Sequence, residues 1–175
     1  PVTIETSTEL SSDTGNLSFN STVDGGSLKI IKAGSTTFTG VVNISALTED
    51  DAHAGTITFS NGGTISSAVE FKTPAAVSIS GTMNIGASAP WAAFTHTAGN
   101  TLITGTLNAA ATQLANTTIN GTLNAASVNL SNLTVAGNST IATTGTQQFT
   151  GTIDDSTADT HTLTLNSDTS QITLA

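Results

Sequence analysis

A sixteen-residue self-similarity constrains this chain more than any other feature. Ile103, Thr104, Gly105, Thr106, Leu107 and Asn108 are answered sixteen positions later by Ile119, Asn120, Gly121, Thr122, Leu123 and Asn124. The match continues through Ala109 and Ala110 against Ala125 and Ala126, as far as Leu114 against Leu130. A unit this short cannot bury an apolar face alone, so its copies must stack to make a core. The same pattern, apolar-x-Gly-small-apolar-Asn/Asp, returns at residues 38–43, 79–84 and 149–154, with a degenerate copy at 135–141. Its glycines, at 40, 81, 105, 121, 137 and 151, are spaced as one or two turns of a coil with corners of variable length.

Between these marks run short segments of period two: Leu17 and Phe19, Leu28 and Ile30, Ile57 and Phe59, Val77 and Ile79, Leu163 and Leu165. Alternation of this kind reads as strand. Gly, Asn, Asp and Ser clusters bound the segments, as at Asp24, Gly25 and Gly26, and supply the positive φ that corners need. About half the chain is Thr, Ser, Asn or Gly, and good helix formers are scarce, so helix propensity is poor in every window. Strands of three residues do not stabilise themselves, and a sandwich would want larger inward side chains than Ala, Val, Thr and Leu. The expectation is therefore one domain over residues 1–175, a parallel β-solenoid, with residues 103–154 its most regular part and an all-β sandwich the alternative. At roughly 16 to 22 residues per turn the rod has about eight to eleven turns and a length of about 40 to 50 Å.

Charge narrows the partners. Twelve acidic residues against three lysines give a formal charge of −9, which repels nucleic acid and anionic bilayers alike. No run of 18 apolar residues is present to enter a membrane as a helix. The absence of cysteine fits a disulfide-free secreted protein as well as a cytosolic one. The start at Pro1 reads as a processed form or an excised segment.

Residues 26–40, from Gly26 through Leu28, Lys32, Gly34 and Phe38 to Gly40, resemble the repeat of bacterial autotransporter passenger domains. Ala33 and Phe38 depart from that repeat's preferred types, and one residue is inserted. The stretches 17–25 and 163–166 resemble the repeats of filamentous-haemagglutinin-type adhesins. What the resemblance implies is a right-handed parallel β-helix, secreted or held on a bacterial surface, serving as a scaffold or adhesin.

From Thr73 to Ile153 the chain contains no Asp, Glu, Lys or Arg. A free surface usually carries roughly a quarter charged residues, so this face is either solvated by hydroxyls and amides or covered by subunits or glycans. Asn-x-Ser/Thr sequons stand at Asn16, Asn20, Asn43, Asn116, Asn120, Asn129, Asn132 and Asn138, a mild excess over composition. Both ends read as strands, with Val2 and Ile4 at one and Ile172 and Leu174 at the other. Unpaired end strands belong to a longer array or pair with the next copy, and the second is expected here, making these four residues candidate subunit contacts.

Signals for chemistry are weak. Glu49, Asp50 and Asp51, with His53, group carboxylates and an imidazole that suit a hard cation or acid/base work. Asp154, Asp155 and Asp159 form a second cluster. The bland reading of both is an acidic corner, so no metal or other cofactor is expected. With no arginine, no cysteine, no Gly-x-Ser-x-Gly elbow and no phosphate loop, the expectation is a protein without catalysis. Trp91 and Phe94, near His96, are candidate anchors for a sugar or a subunit, against the plainer reading of a Trp plugging a wide turn. Thr-x-Thr pairs beginning at Thr56, Thr104, Thr150 and Thr162 raise ice binding as a minor idea, at irregular spacing. The leading expectation is a structural protein of the cell surface that polymerises with copies of itself; the alternative is an adhesin module that binds glycans.

Overall fold

The computed structural model describes residues 1–50, 55–87, 91–168 and 170–175. Among them every regular element is a strand and the strand pairs are parallel, each joining strands of adjacent turns. The fold is a parallel β-solenoid of about 8 turns. The sandwich alternative fails because pairing runs between turns rather than across hairpins.

Three faces make up the coil. On the first, Val2, Val23, Val42, Gly63, Met83, Leu107, Leu123, Ile141 and Leu165 occupy one column in register. The third carries the column Phe19, Phe38, Phe59, Ile79, Ile103, Ile119, Val135 and Asp155. On the second, Val69, Phe94, Thr112, Val128, Gln147 and Ile172 are stacked. Strands Thr106–Ile119 and Thr122–Val135 each pass through all three faces without a break.

Turn length is what the short repeat foretells and then relaxes. It is 16 residues between Leu107 and Leu123, but 24 both between Met83 and Leu107 and between Ile141 and Leu165. Faces must keep their width to stay in register, so the surplus goes into corners, notably between Ile85 and Phe94 and between Asp155 and Leu163.

The glycine motif marks the corner from the third face to the first. A Cβ on Gly121 would overlap the carbonyl of Gly105, and one on Gly105 would overlap that of Gly81, so this corner column admits no side chain. The copy at 149–154 differs from the others in position. Phe149 stacks on Leu130 and Ile153 on Leu133, which places its glycine at the corner from the second face to the third.

Alternation sends every second side chain into the lumen. Phe19, Phe38 and Phe59 stack with centroids 4.7 and 5.1 Å apart, and on the second face Phe71 and Phe94 meet edge to face at 5.6 Å. Each fully buried phenylalanine is worth about 1.5 to 3 kcal/mol over its exposed state, so the first half of the rod is held by larger side chains than its composition implies. The repeat-rich half relies on Leu107, Leu123, Leu130, Ile119 and Ile141, all fully buried or nearly so.

Outside, amides bond turn to turn. Asn108 donates to Asn84 at 2.7 Å, Asn124 to Asn108 at 2.8 Å, and Asn132 to Asn116 at 2.9 Å. Sequence identity at offset 16 is thus the trace of side chains that must bond to their own kind.

Candidate association surfaces at the ends of the stack

At one end the first turn pairs on one side only, with Val23–Lys32 on two faces and Thr36–Phe38 on the third. At the other, Ile153–Asp155, Leu163–Ser167 and Ile172–Leu174 each pair only with the turn beneath. The remaining N–H and C=O groups of those strands point along the axis, the geometry of a template for another strand. Apolar side chains of the lumen are bared with them: Leu174 is 65% exposed, Val2 39% and Ile172 37%. Leu10, Leu17, Phe19, Leu163 and Leu165, all on end turns, are half-buried against the core.

Of the four residues expected at the contacts, Val2, Ile172 and Leu174 lie there with exposed side chains. Ile4 does not. It is 4% exposed and belongs to the core cluster, so only its backbone lies on the open edge. The sequence reading passed over Leu10, Leu17 and Ile153, whose column positions equate them with the named four.

Trp91 and Phe94 separate. Phe94 is 1% exposed, edge-on to Phe71 and in register with Val69, so it belongs to the lumen and cannot anchor a ligand. Trp91 is half-buried on the outside of the widest corner, where it walls a groove rather than plugging the coil. His96, two residues beyond Phe94, is fully buried. Its Nε2 donates to the carbonyl of Thr73 at 3.0 Å, and Nδ1 therefore accepts from the hydroxyl of Thr101 at 2.9 Å. Desolvation holds its pKa below the usual value of 6.5, against a smaller opposing effect of the Thr73 carbonyl.

The acidic clusters resolve into structure. Glu49 is buried and accepts the backbone N–H of Lys72 at 3.1 Å, while Asp50 lies 3.8 Å from Lys29, which also meets Glu9 at 3.5 Å. Asp51 and His53 lie outside the described residues. Among the described residues no three His, Cys, Asp or Glu side chains converge as metal ligands.

Asp154 is exposed on the last rung of the third face. Its neighbour Asp155 accepts the backbone N–H groups of Thr157, Thr160 and His161, and His161 Nδ1 at 2.5 Å. Partial desolvation raises its pKa, but the hydrogen bonds from Thr157, His161 and Thr160 outweigh that and hold it at about 2. Thr160 Oγ1 lies 3.3 and 3.4 Å from the two ring nitrogens of His161 and donates to Thr157 O at 2.7 Å. The cluster ties the chain back from the third face to the first.

The Thr-x-Thr pairs do not form one array. Thr58 is on the third face and Thr164 on the first, whereas Thr104 and Thr150 sit at two different corners. On the third face of the uncharged tract Ser78, Leu102, Thr118 and Thr134 form one outward, half-buried column. Charge is segregated along the rod: charged side chains occupy the first four turns and the last, with an uncharged stretch between them. No protein-family model, curated protein or solved structure matches this chain.

Proposed function

We propose that this chain is a non-catalytic structural module, secreted or held at a cell surface, that associates end to end with copies of itself into a fibre or scaffold. The observation that carries the proposal is the match in section and inward columns between the first and last described turns. Each presents unpaired strand edges and a bared apolar lumen of the same three-sided section. Stacking a second copy sets its Val2 over Leu165 and its Leu10 over Leu174, so the inward columns run on through the junction. The third face is one rung shorter than the other two, and the junction keeps room there for one further strand above Ile153–Asp155.

Because the two patches differ, the contact is head to tail and propagates instead of closing as a dimer. Strand addition at both edges supplies backbone hydrogen bonds and apolar burial together. A place beside autotransporter passengers, suggested by the repeat style of residues 26–40, or beside filamentous-haemagglutinin-type proteins, suggested by that of 17–25 and 163–166, is part of the same proposal.

Negative-stain microscopy across a concentration series tests it. Rods of constant width that lengthen with concentration are expected; particles of one length throughout refute the proposal.

A further inference from the structure

The corner from the first face to the second varies in length along the rod. It is long between Ile85 and Phe94, tight at Ala109 to Thr112 and at Ala125 to Val128, and longer again between Ser167 and Ile172. Tight corners between wide ones leave a saddle of about 500 Å³ on the flank of the rod. Trp91 stands at one end of it and Asn166 with Asp168 at the other, with Ala110, Ala126 and Ala142 forming the floor between. Four rungs separate the ends, about 19 Å at 4.8 Å each.

A second observation makes this more than a strip of small residues. The amide ladder Asn84, Asn108, Asn124 stops at this groove, because the next residue in register is Ala142, and it resumes one rung later with Asn166. The missing rung holds two amide side chains roughly 9.6 Å apart, facing a space that neither fills. Backbone groups beneath are consumed by the ladder, as Ala110 N–H to Ala92 O and Thr144 N–H to Ala125 O show, so an extended peptide has no strand edge to join. The lining carries one charge, Asp168, and it is negative, which disfavours anionic ligands.

An indole, amides at two-rung spacing, one carboxylate and no cation fit a ligand with an apolar face and a rim of uncharged hydroxyls. We infer that this saddle binds a neutral oligosaccharide laid along the rod axis, stacked on Trp91 and hydrogen-bonded by Asn124, Asn166 and Asp168. The volume is that of an ordinary small-ligand cleft. This inference does not rest on end-to-end association: the groove lies on the flank, and only its end at Asn166 and Asp168 reaches the last turn.

Trp91 is the single tryptophan and the chain has no tyrosine, so intrinsic emission reports on this site directly. Neutral hexasaccharides of glucose, xylose, mannose and N-acetylglucosamine are the probes, read by fluorescence and calorimetry. At least one is expected to shift the emission saturably with a Kd below about 1 mM. Ala142→Asn, which completes the ladder across the gap, is expected to weaken that binding at least about tenfold while leaving the unfolding midpoint unchanged or raised, as added ladder bonds would do. Ala126→Leu, projecting into the trough from an exposed position, gives the same readout should the first variant fold poorly. No response to any of the four series, or undiminished binding in both variants, overturns the inference.

Discussion

Thr101 and His96 face each other inside the lumen at 2.9 Å, five residues apart in sequence and both fully buried. The hydroxyl donates, the imidazole accepts, and the opposite nitrogen donates to Thr73. This arrangement holds the ring neutral in the dry interior. A protein that carries no lysine, arginine, aspartate or glutamate over its central tract has placed its one central histidine where protonation is costly.

The sign of the pH effect follows. The folded pKa of His96 lies below 6.5, so below that pH the unfolded chain takes up a proton that the folded chain refuses. Stability is complete above about pH 6.5 and falls as pH drops toward the folded value. Urea midpoints measured from about pH 7.5 to 5 are expected to decline for the native chain and to stay flatter for His96→Gln, which can keep both hydrogen bonds. Asp155 adds a separate window: its pKa is lowered from 3.8 to about 2, so its contribution is present above 3.8 and lost as pH falls through that interval.

Thr117 offers a change of opposite sign. Its Oγ1 is buried without a hydrogen-bond partner among the described residues, in a column whose other members include Ile57, Val77 and Leu133. Thr117→Val keeps the shape and removes an unsatisfied hydroxyl, so denaturant unfolding should show a gain of about 1 kcal/mol.

Asn108 is the middle of the amide ladder, donating to Asn84 and accepting from Asn124. Asn108→Ala breaks both bonds and is expected to cost about 1 to 2 kcal/mol in the same assay. Asn129→Ala, at an exposed position on the second face, should stay within about 0.5 kcal/mol. Equal effects at the two sites would remove the ladder as a source of stability.

Charge segregation bears on assembly. Glu5, Glu9 and Asp13 lie on the first turn, Glu9 and Asp13 paired with Lys29 and Lys32 of the next, while Asp154, Asp155, Asp159 and Asp168 lie on the last, so Glu5 and the last-turn aspartates bring like charge together as ends approach. Screening shortens that repulsion to about 10 Å at 0.1 M salt. Light scattering is expected to show association strengthening as NaCl rises from about 0.01 to 0.15 M, the reverse of an interface built on ion pairs.

Much of this fold is legible in the residues, and the reason is physical. A ladder side chain bonds to its own copy one turn away, so register writes itself into the sequence as the identity of Asn108 with Asn124 and Leu107 with Leu123. Corners leave no such record. The glycine at 151 fits the same pattern as those at 105 and 121, yet it turns a different corner, because local pattern does not say which face is being left. Phe94 could not be told from an exposed anchor for the same reason: the sequence does not mark where the strand resumes after the long corner, and Trp91 emerges outside while Phe94 turns in. The groove was invisible because its makers, Trp91, Asn124, Ala142 and Asn166, are brought together only by stacking, although the substitution of Ala142 for the expected Asn was there to be read.

The end contacts carry the account, and sedimentation velocity across a concentration series tests them most directly, comparing the native chain with Leu174→Lys. Leu174 is 65% exposed on the last rung, so a lysine there leaves the fold intact while placing a charge on the edge that the next copy must cover. The account predicts a ladder of masses growing with concentration for the native chain and a single monomeric boundary for the variant at an unchanged unfolding midpoint. A native chain that sediments as one monomer at every concentration, or a variant that associates as strongly as the native chain, contradicts it.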